Sequence, residues 1–99
     1  MIDFLYNTGL SNDIVKKMND TYDETNLFNL SCNEDECIKI INLMKQIGIK
    51  IDIIESLLVI KLDWFLNTCD EIINILRKTD ILEFINRINN DPFVIEEYC

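Results

Sequence analysis

The chemically functional side chains of this 99-residue chain are carboxylates and thiols. Eighteen Asp and Glu residues face nine Lys and Arg residues and no His, so the net charge is −9. Between Lys17 and Lys39 the sequence contains no cation, and six acidic residues fall in this window. They are Asp20, Asp23, Glu24, Glu34, Asp35 and Glu36. Such a group can bind a basic protein surface, bind a cation, or simply favour solubility.

The spacing of these acids argues against a calcium site. A twelve-residue calcium loop needs a Gly at its sharp turn, and no Gly lies between Gly9 and Gly48. Glu34 and Asp35 begin an apolar-periodic segment, where carboxylates favour the positive end of a helix. The sequence therefore predicts no bound metal. It predicts instead that the six acids form a binding surface for a partner protein with a basic face.

Four cysteines, Cys32, Cys37, Cys69 and Cys99, leave disulfides or a four-thiolate site open as alternatives. Cys37 and Cys69 occupy apolar helical positions, which is more typical of small core residues. No secretory segment is visible, so we expect reduced thiols and a cytoplasmic protein.

The composition also argues against catalysis. Without His, the chain lacks the commonest general base and every imidazole metal site. Two isolated glycines cannot form a phosphate-binding loop. We therefore expect a non-enzymatic protein without a cofactor.

The charge balance disfavours two classes of partner. Nucleic acids and anionic membranes are bound through cationic side chains, which are the minority here. The most apolar stretch, Ile47 to Leu66, contains five charged residues and is not expected to span a membrane. Abundant Ile and Asn and the absence of Ala indicate a low-GC source, such as a bacterium, virus or phage, which would place a viral protein in the host cytoplasm.

Helical periodicity dominates the chain and predicts one all-α domain over residues 1–99, with five to seven short helices. Gly48 ends one helix and Asp52 begins a central helix that is apolar nearly all round. Capping boxes are predicted at Ser31 and Thr68, and Asp80 is predicted to begin a further helix.

Three other segments complete the predicted architecture. Ser11 is expected to cap a helix after Gly9, whereas Asn19 to Leu30 reads as irregular. Tyr22, Leu27, Phe28 and Leu30 in that stretch are expected to return to the core. Trp64 and Phe65 are expected to anchor neighbouring helices.

Some of these segments resemble one another in sequence, which predicts an internal repeat. Gly9 and Gly48 lie 39 residues apart, and the same shift superposes Asp13 on Asp52. A shift of 35 residues superposes Asp35 on Asp70. Periods of this size are typical of helical-repeat proteins, which predicts stacked helical hairpins.

The repeated pattern resembles the repeats of the mitochondrial transcription termination factor family. The matching stretches are Leu5 to Met18, Leu43 to Leu58 and Ile81 to Ile95. The resemblance implies helical hairpins stacked in a curved solenoid. The first two stretches lack the Pro of the family and the third lacks its Gly. That family binds nucleic acid through basic surfaces, whereas this chain is acidic, so no binding residue is carried over.

The leading functional hypothesis is a protein-interaction module, such as a viral or bacterial inhibitor or adaptor acting on a basic protein. One alternative is a nucleic-acid-binding repeat protein using a local cluster of cations. Its candidates are Lys39, Lys45, Lys50, Arg77, Lys78 and Arg87. Another alternative is a self-associating structural protein or homodimer, because an incomplete solenoid exposes apolar ends.

Overall fold

Nine short helical segments and no strand make up the computed structural model, which describes all 99 residues. The all-α prediction is confirmed. The chain opens with a 3₁₀ helix at Asp3–Asn7 and closes with another at Pro92–Glu97. Between them lie α1 (Ile14–Thr21), α2 (Glu24–Cys32), α3 (Glu34–Ile47), α4 (Ile51–Ile60), α5 (Leu62–Phe65), α6 (Cys69–Arg77) and α7 (Ile81–Asn90). None of these helices combines the length and the apolar character that a membrane crossing requires.

Several predicted helix boundaries are confirmed. Gly48 adopts a φ of 107° and ends α3, a conformation that Gly reaches without steric cost. At the start of α6, Thr68 Oγ1 accepts the Glu71 N–H at 3.2 Å, and the Glu71 carboxylate accepts the Thr68 N–H at 3.0 Å. The Asp80 carboxylate accepts the Glu83 N–H at 3.2 Å, so α6 and α7 are separate helices.

The prediction of an irregular stretch from Asn19 to Leu30 is wrong. Helix α1 continues to Thr21, and α2 begins where the Asp23 carboxylate accepts the Asn26 N–H at 2.9 Å. Burial of Leu27 and Leu30 favours the helix over the turn preference of Asn and Thr. Phe28 does not return to the core, because it lies on the outer face of α2 with 57% of its surface exposed.

Three predicted caps are also wrong. Ser31 lies in the last turn of α2, where its hydroxyl donates to the Phe28 carbonyl at 2.7 Å. Asp52 is the second residue of α4 rather than its cap. Ser11 precedes α1 by three residues, and its hydroxyl contacts Asp13 and donates to Glu55 of α4. The Ser31 and Ser11 side chains bond elsewhere, and α4 begins one residue before Asp52, so the local pattern alone misplaces these helix starts.

Helix α4 lies at the centre and contacts α1, α3, α5 and the C-terminal 3₁₀ helix. Twenty-five buried apolar residues form one cluster around it. Trp64 and Phe65 are confirmed as core anchors, at 1% and 0% exposure. Trp64 stacks on Phe84 with ring centroids 6.2 Å apart, and Tyr98 meets the Phe84 ring edge-on at 4.8 Å. The resulting body measures 35 × 24 × 22 Å.

The internal repeat has a local counterpart in the structure. Gly9 and Gly48, which the 39-residue shift superposes, both adopt positive φ, at 84° and 107°. The helices that follow them, α1 and α4, contact each other. The helices before them differ, since Asp3–Asn7 is a 3₁₀ helix of five residues and α3 has fourteen. The correspondence is therefore clearest at the turns.

Candidate protein-interaction surface

The six predicted acidic residues lie in two groups at opposite ends of α2. Asp20 and Asp23 precede its first residue, Glu24. The other group, Glu34 to Glu36, begins α3 just beyond its last residue. From Glu24 to Cys32 the helical rise amounts to about 12 Å. This exceeds the screening length of about 8 Å at physiological ionic strength. The two groups therefore act as separate charged surfaces.

The first group is largely engaged within the chain. Asp20 pairs with Lys16 at 2.7 Å, one helical turn away. Asp23 caps α2 through its bond to the Asn26 N–H. Glu24 is exposed and accepts no side-chain hydrogen bond. This end of α2 thus offers one uncommitted carboxylate.

The second group lies at a corner that long-range hydrogen bonds hold together. The Asn33 amide donates to the carbonyls of Phe65 and Asn67, both at 2.9 Å. The Glu36 carboxylate accepts the Cys69 N–H at 2.8 Å. These bonds bring the first turn of α3 beside the first turn of α6. These two turns contain five acids, of which Glu71 is engaged in the capping box with Thr68. We call the other four the acidic corner: Glu34, Asp35, Glu36 and Asp70.

Glu36 has a structural role at this corner. The hydrogen bond from the Cys69 N–H is the main cause that lowers the pKa of Glu36 below its ordinary value, and the ion pair with Lys39 at 3.1 Å is the second. The Glu36 carboxylate is therefore ionised at neutral pH. Partial burial, together with the charges of Glu36 and Asp70, raises the pKa of the Cys69 thiol. Glu36 thus caps α6 from a neighbouring helix, and the adjacent thiol stays neutral.

The other three acids of the corner remain free. Glu34, Asp35 and Asp70 are exposed, and their side chains take part in no hydrogen bond or ion pair. Residues 31–36 line a shallow concavity of about 500 Å³ in which Cys32 is the only hydrophobic residue. Small-molecule sites are usually apolar and enclosed. This surface is better suited to cationic side chains of a partner.

The four cysteines are free thiols, and their surroundings differ. Burial, with the nearby charge of Glu34, raises the pKa of Cys37 to about 12, so its thiol is unreactive at neutral pH. Cys32 and Cys99 are exposed and Cys69 is half-buried. No group of three or more Cys, Asp or Glu side chains is arranged to hold a metal ion.

Sequence reasoning missed Asp70, which lies 34 residues from Glu36 and reaches the corner only through the fold. The 35-residue shift that superposes Asp35 on Asp70 was the available signal, because it matched two acidic helix starts. No sequence distance could show that these starts lie side by side.

The cations named for the nucleic-acid alternative fall into two sets. Lys39 pairs with Glu36, Arg87 pairs with Glu97, and the Lys45 ammonium donates to the Thr8 carbonyl. The other three have no carboxylate within ion-pair distance and make no side-chain hydrogen bond. They are Lys50, Arg77 and Lys78.

No protein-family model matches the chain, and neither a curated protein nor a solved structure shows significant similarity to it. The geometry and charge of its surfaces are therefore the basis for a functional proposal.

Proposed function

We propose that the chain is a non-enzymatic protein-interaction module that binds a basic face of a partner protein through the acidic corner. One observation carries the proposal. Glu34, Asp35 and Asp70 are exposed and unpaired on backbone that Asn33 and Glu36 hold in place. Because the backbone is already ordered, binding would order only the side chains, which lowers the entropic cost of association.

The balance of paired and unpaired charges supports attraction between this acidic chain and a basic partner. Only five of the eighteen acidic side chains take part in ion pairs. Five of the nine cations are in the same pairs, and Lys45 bonds to a backbone carbonyl. Most of the unpaired charge is therefore negative. Such a field accelerates the encounter with a basic protein and sets its orientation.

The partner class follows from the same chemistry. A basic face rich in Lys and Arg is the usual footprint of a protein that binds nucleic acid. A chain that covers this face with carboxylates competes with phosphates for the same side chains. We propose that it acts as an inhibitor or adaptor in a bacterium or in a host cell infected by a virus or phage.

The test compares two triple charge reversals that are matched in number and position. The corner variant is Glu34→Lys, Asp35→Lys and Asp70→Lys. The control variant is Asp3→Lys, Asp52→Lys and Glu83→Lys, whose positions are exposed and also lie in first helical turns. Both variants change the net charge equally and oppose the helix dipole similarly. Circular dichroism checks that both remain folded.

Partners are captured from host lysate with each protein and identified by mass spectrometry. We expect a basic protein that the wild type and the control variant retain and the corner variant loses. Its association rate with the wild type, measured by surface plasmon resonance, should fall steeply between 50 and 300 mM salt. Equal loss with both variants, or a rate indifferent to salt, would contradict the proposal.

A further inference from the structure

A second surface lies at the other end of α6, between α3, α6 and the start of α7. Its apolar lining comes from Leu43 and Ile47 of α3, Ile73 and Leu76 of α6, and Ile81 of α7. We call this surface the apolar groove. It has a volume of about 400 Å³ and opens to solvent. Ile81 is 36% exposed, and Leu82, the next residue of α7, is 71% exposed.

The groove carries a single charge in its lining. Arg77 is exposed, has no carboxylate within ion-pair distance, and makes no side-chain hydrogen bond. Lys78, the next residue, is also exposed and unpaired. Free cations are scarce in a chain with twice as many acids as bases. A free Arg beside an apolar surface is complementary to an apolar segment that carries a carboxylate.

The shape of the groove favours a helix as its occupant. Leu43 and Ile47 lie one turn apart on α3, and Ile73 and Arg77 lie one turn apart on α6. Two such rows form a trough into which side chains spaced by three or four residues can pack. An enclosed pocket would suit a small molecule better, because it removes most of the ligand surface from water.

We propose that the apolar groove docks an amphipathic helical segment of a partner protein, whose apolar side chains enter the groove while one of its carboxylates pairs with Arg77. A second copy of this chain fits less well. A twofold contact through the groove would bring two Arg77 residues toward one axis and join two chains of charge −9. The proposal is independent of the acidic corner, since the two surfaces share no residue and Asp70 and Arg77 lie about 10 Å apart along α6.

The test uses a display library of 16-residue helix-forming peptides selected on the full-length chain. A groove variant, Ile81→Asp, and a control variant, Ile51→Asp, make the same substitution at the first residue of a helix. The two side chains are similarly exposed, at 36% and 41%, and a carboxylate is tolerated in a first turn. Both variants should therefore fold.

We expect enriched peptides with apolar residues at i and i+3 or i+4 and with an Asp or Glu beside them. Their affinity should fall at least tenfold on Ile81→Asp and stay unchanged on Ile51→Asp. Arg77→Glu should weaken the best peptide about fivefold, the scale of an exposed ion pair, and changing the peptide acid to Lys should restore binding. Amide NMR shifts should map to residues 43–47 and 73–81.

Three results would overturn the proposal. The first is the absence of any peptide that distinguishes the wild type from Ile81→Asp. The second is a set of groove-dependent peptides with no preference for acids. The third is a concentration-dependent dimer in sedimentation equilibrium that Ile81→Asp abolishes, since the occupant would then be a second copy.

Discussion

The acidic corner and the apolar groove occupy opposite ends of α6 and differ in what holds them in place. At the corner, the Asn33 amide and the Glu36 carboxylate bond to the backbone around the start of α6. The free acids beside them, Glu34, Asp35 and Asp70, make no side-chain hydrogen bond or ion pair within the chain. In the groove, Leu76 is only 8% exposed and belongs to the hydrophobic core as well as to the surface. The proposed binding role is therefore separable from folding at the corner, whereas in the groove the proposed binding role and the fold depend on a shared residue.

The largest expected effect tests that separation directly. Leu76→Ala should lower the free energy of unfolding by about 2–5 kcal/mol, because it leaves a cavity in the core. Asp35→Ala at the corner should change it by no more than about 0.5 kcal/mol, because that side chain is exposed and unbonded. Urea denaturation measures both. Similar losses from the two variants would show that the corner and the groove are not distinct in this way.

An intermediate effect is expected from the residue that holds the corner. Asn33→Ala should cost about 1–3 kcal/mol, because the carbonyls of Phe65 and Asn67 lose a part-buried hydrogen-bond donor. Asn29→Ala is the matched control, since Asn29 is exposed and makes no side-chain bond. Thermal unfolding distinguishes them. Equal stability of the two variants would mean that the Asn33 bonds do not fix the corner.

The smallest expected effect is a change in pH dependence. Because the folded pKa of Glu36 is lowered, its contribution is complete above the ordinary value of 4.5 and is lost as the pH falls through the lower folded pKa. Glu36→Gln should therefore be less stable than the wild type at pH 6, and the difference should shrink toward pH 3. Denaturation midpoints across this range measure it. A difference that does not vary with pH would refute the assigned role.

The sequence predicted the features that depend on neighbouring residues. The Thr68 and Asp80 caps each involve partners three positions away, so the pattern and the bond coincide. The Ser31 pattern is similar, but Asn33, two residues later, bonds to Phe65 and Asn67, and Ser31 remains inside α2. Local helix and cap preferences do not include hydrogen bonds to residues that are distant in sequence, so they cannot predict where such a helix begins.

The same limit applies to the two surfaces. Sequence proximity grouped Asp20 with Glu36, yet the length of α2 separates them. Grouping by sequence proximity also left out Asp70, which the contact between Glu36 and Cys69 brings to the corner. The apolar groove was not predicted at all, because α3, which is distant in sequence from α6 and α7, contributes part of its lining.

The central position of α4 has a consequence for the order in which the chain can fold. Its partners include α1 and α3, which precede it, and the 3₁₀ helix at Pro92–Glu97, which follows it by more than thirty residues. At a ribosomal rate of about 5–20 residues per second, this last partner is synthesised roughly two to seven seconds after α4. During that interval one side of the most apolar helix has no cover. The nascent chain is then open to aggregation and to capture by chaperones.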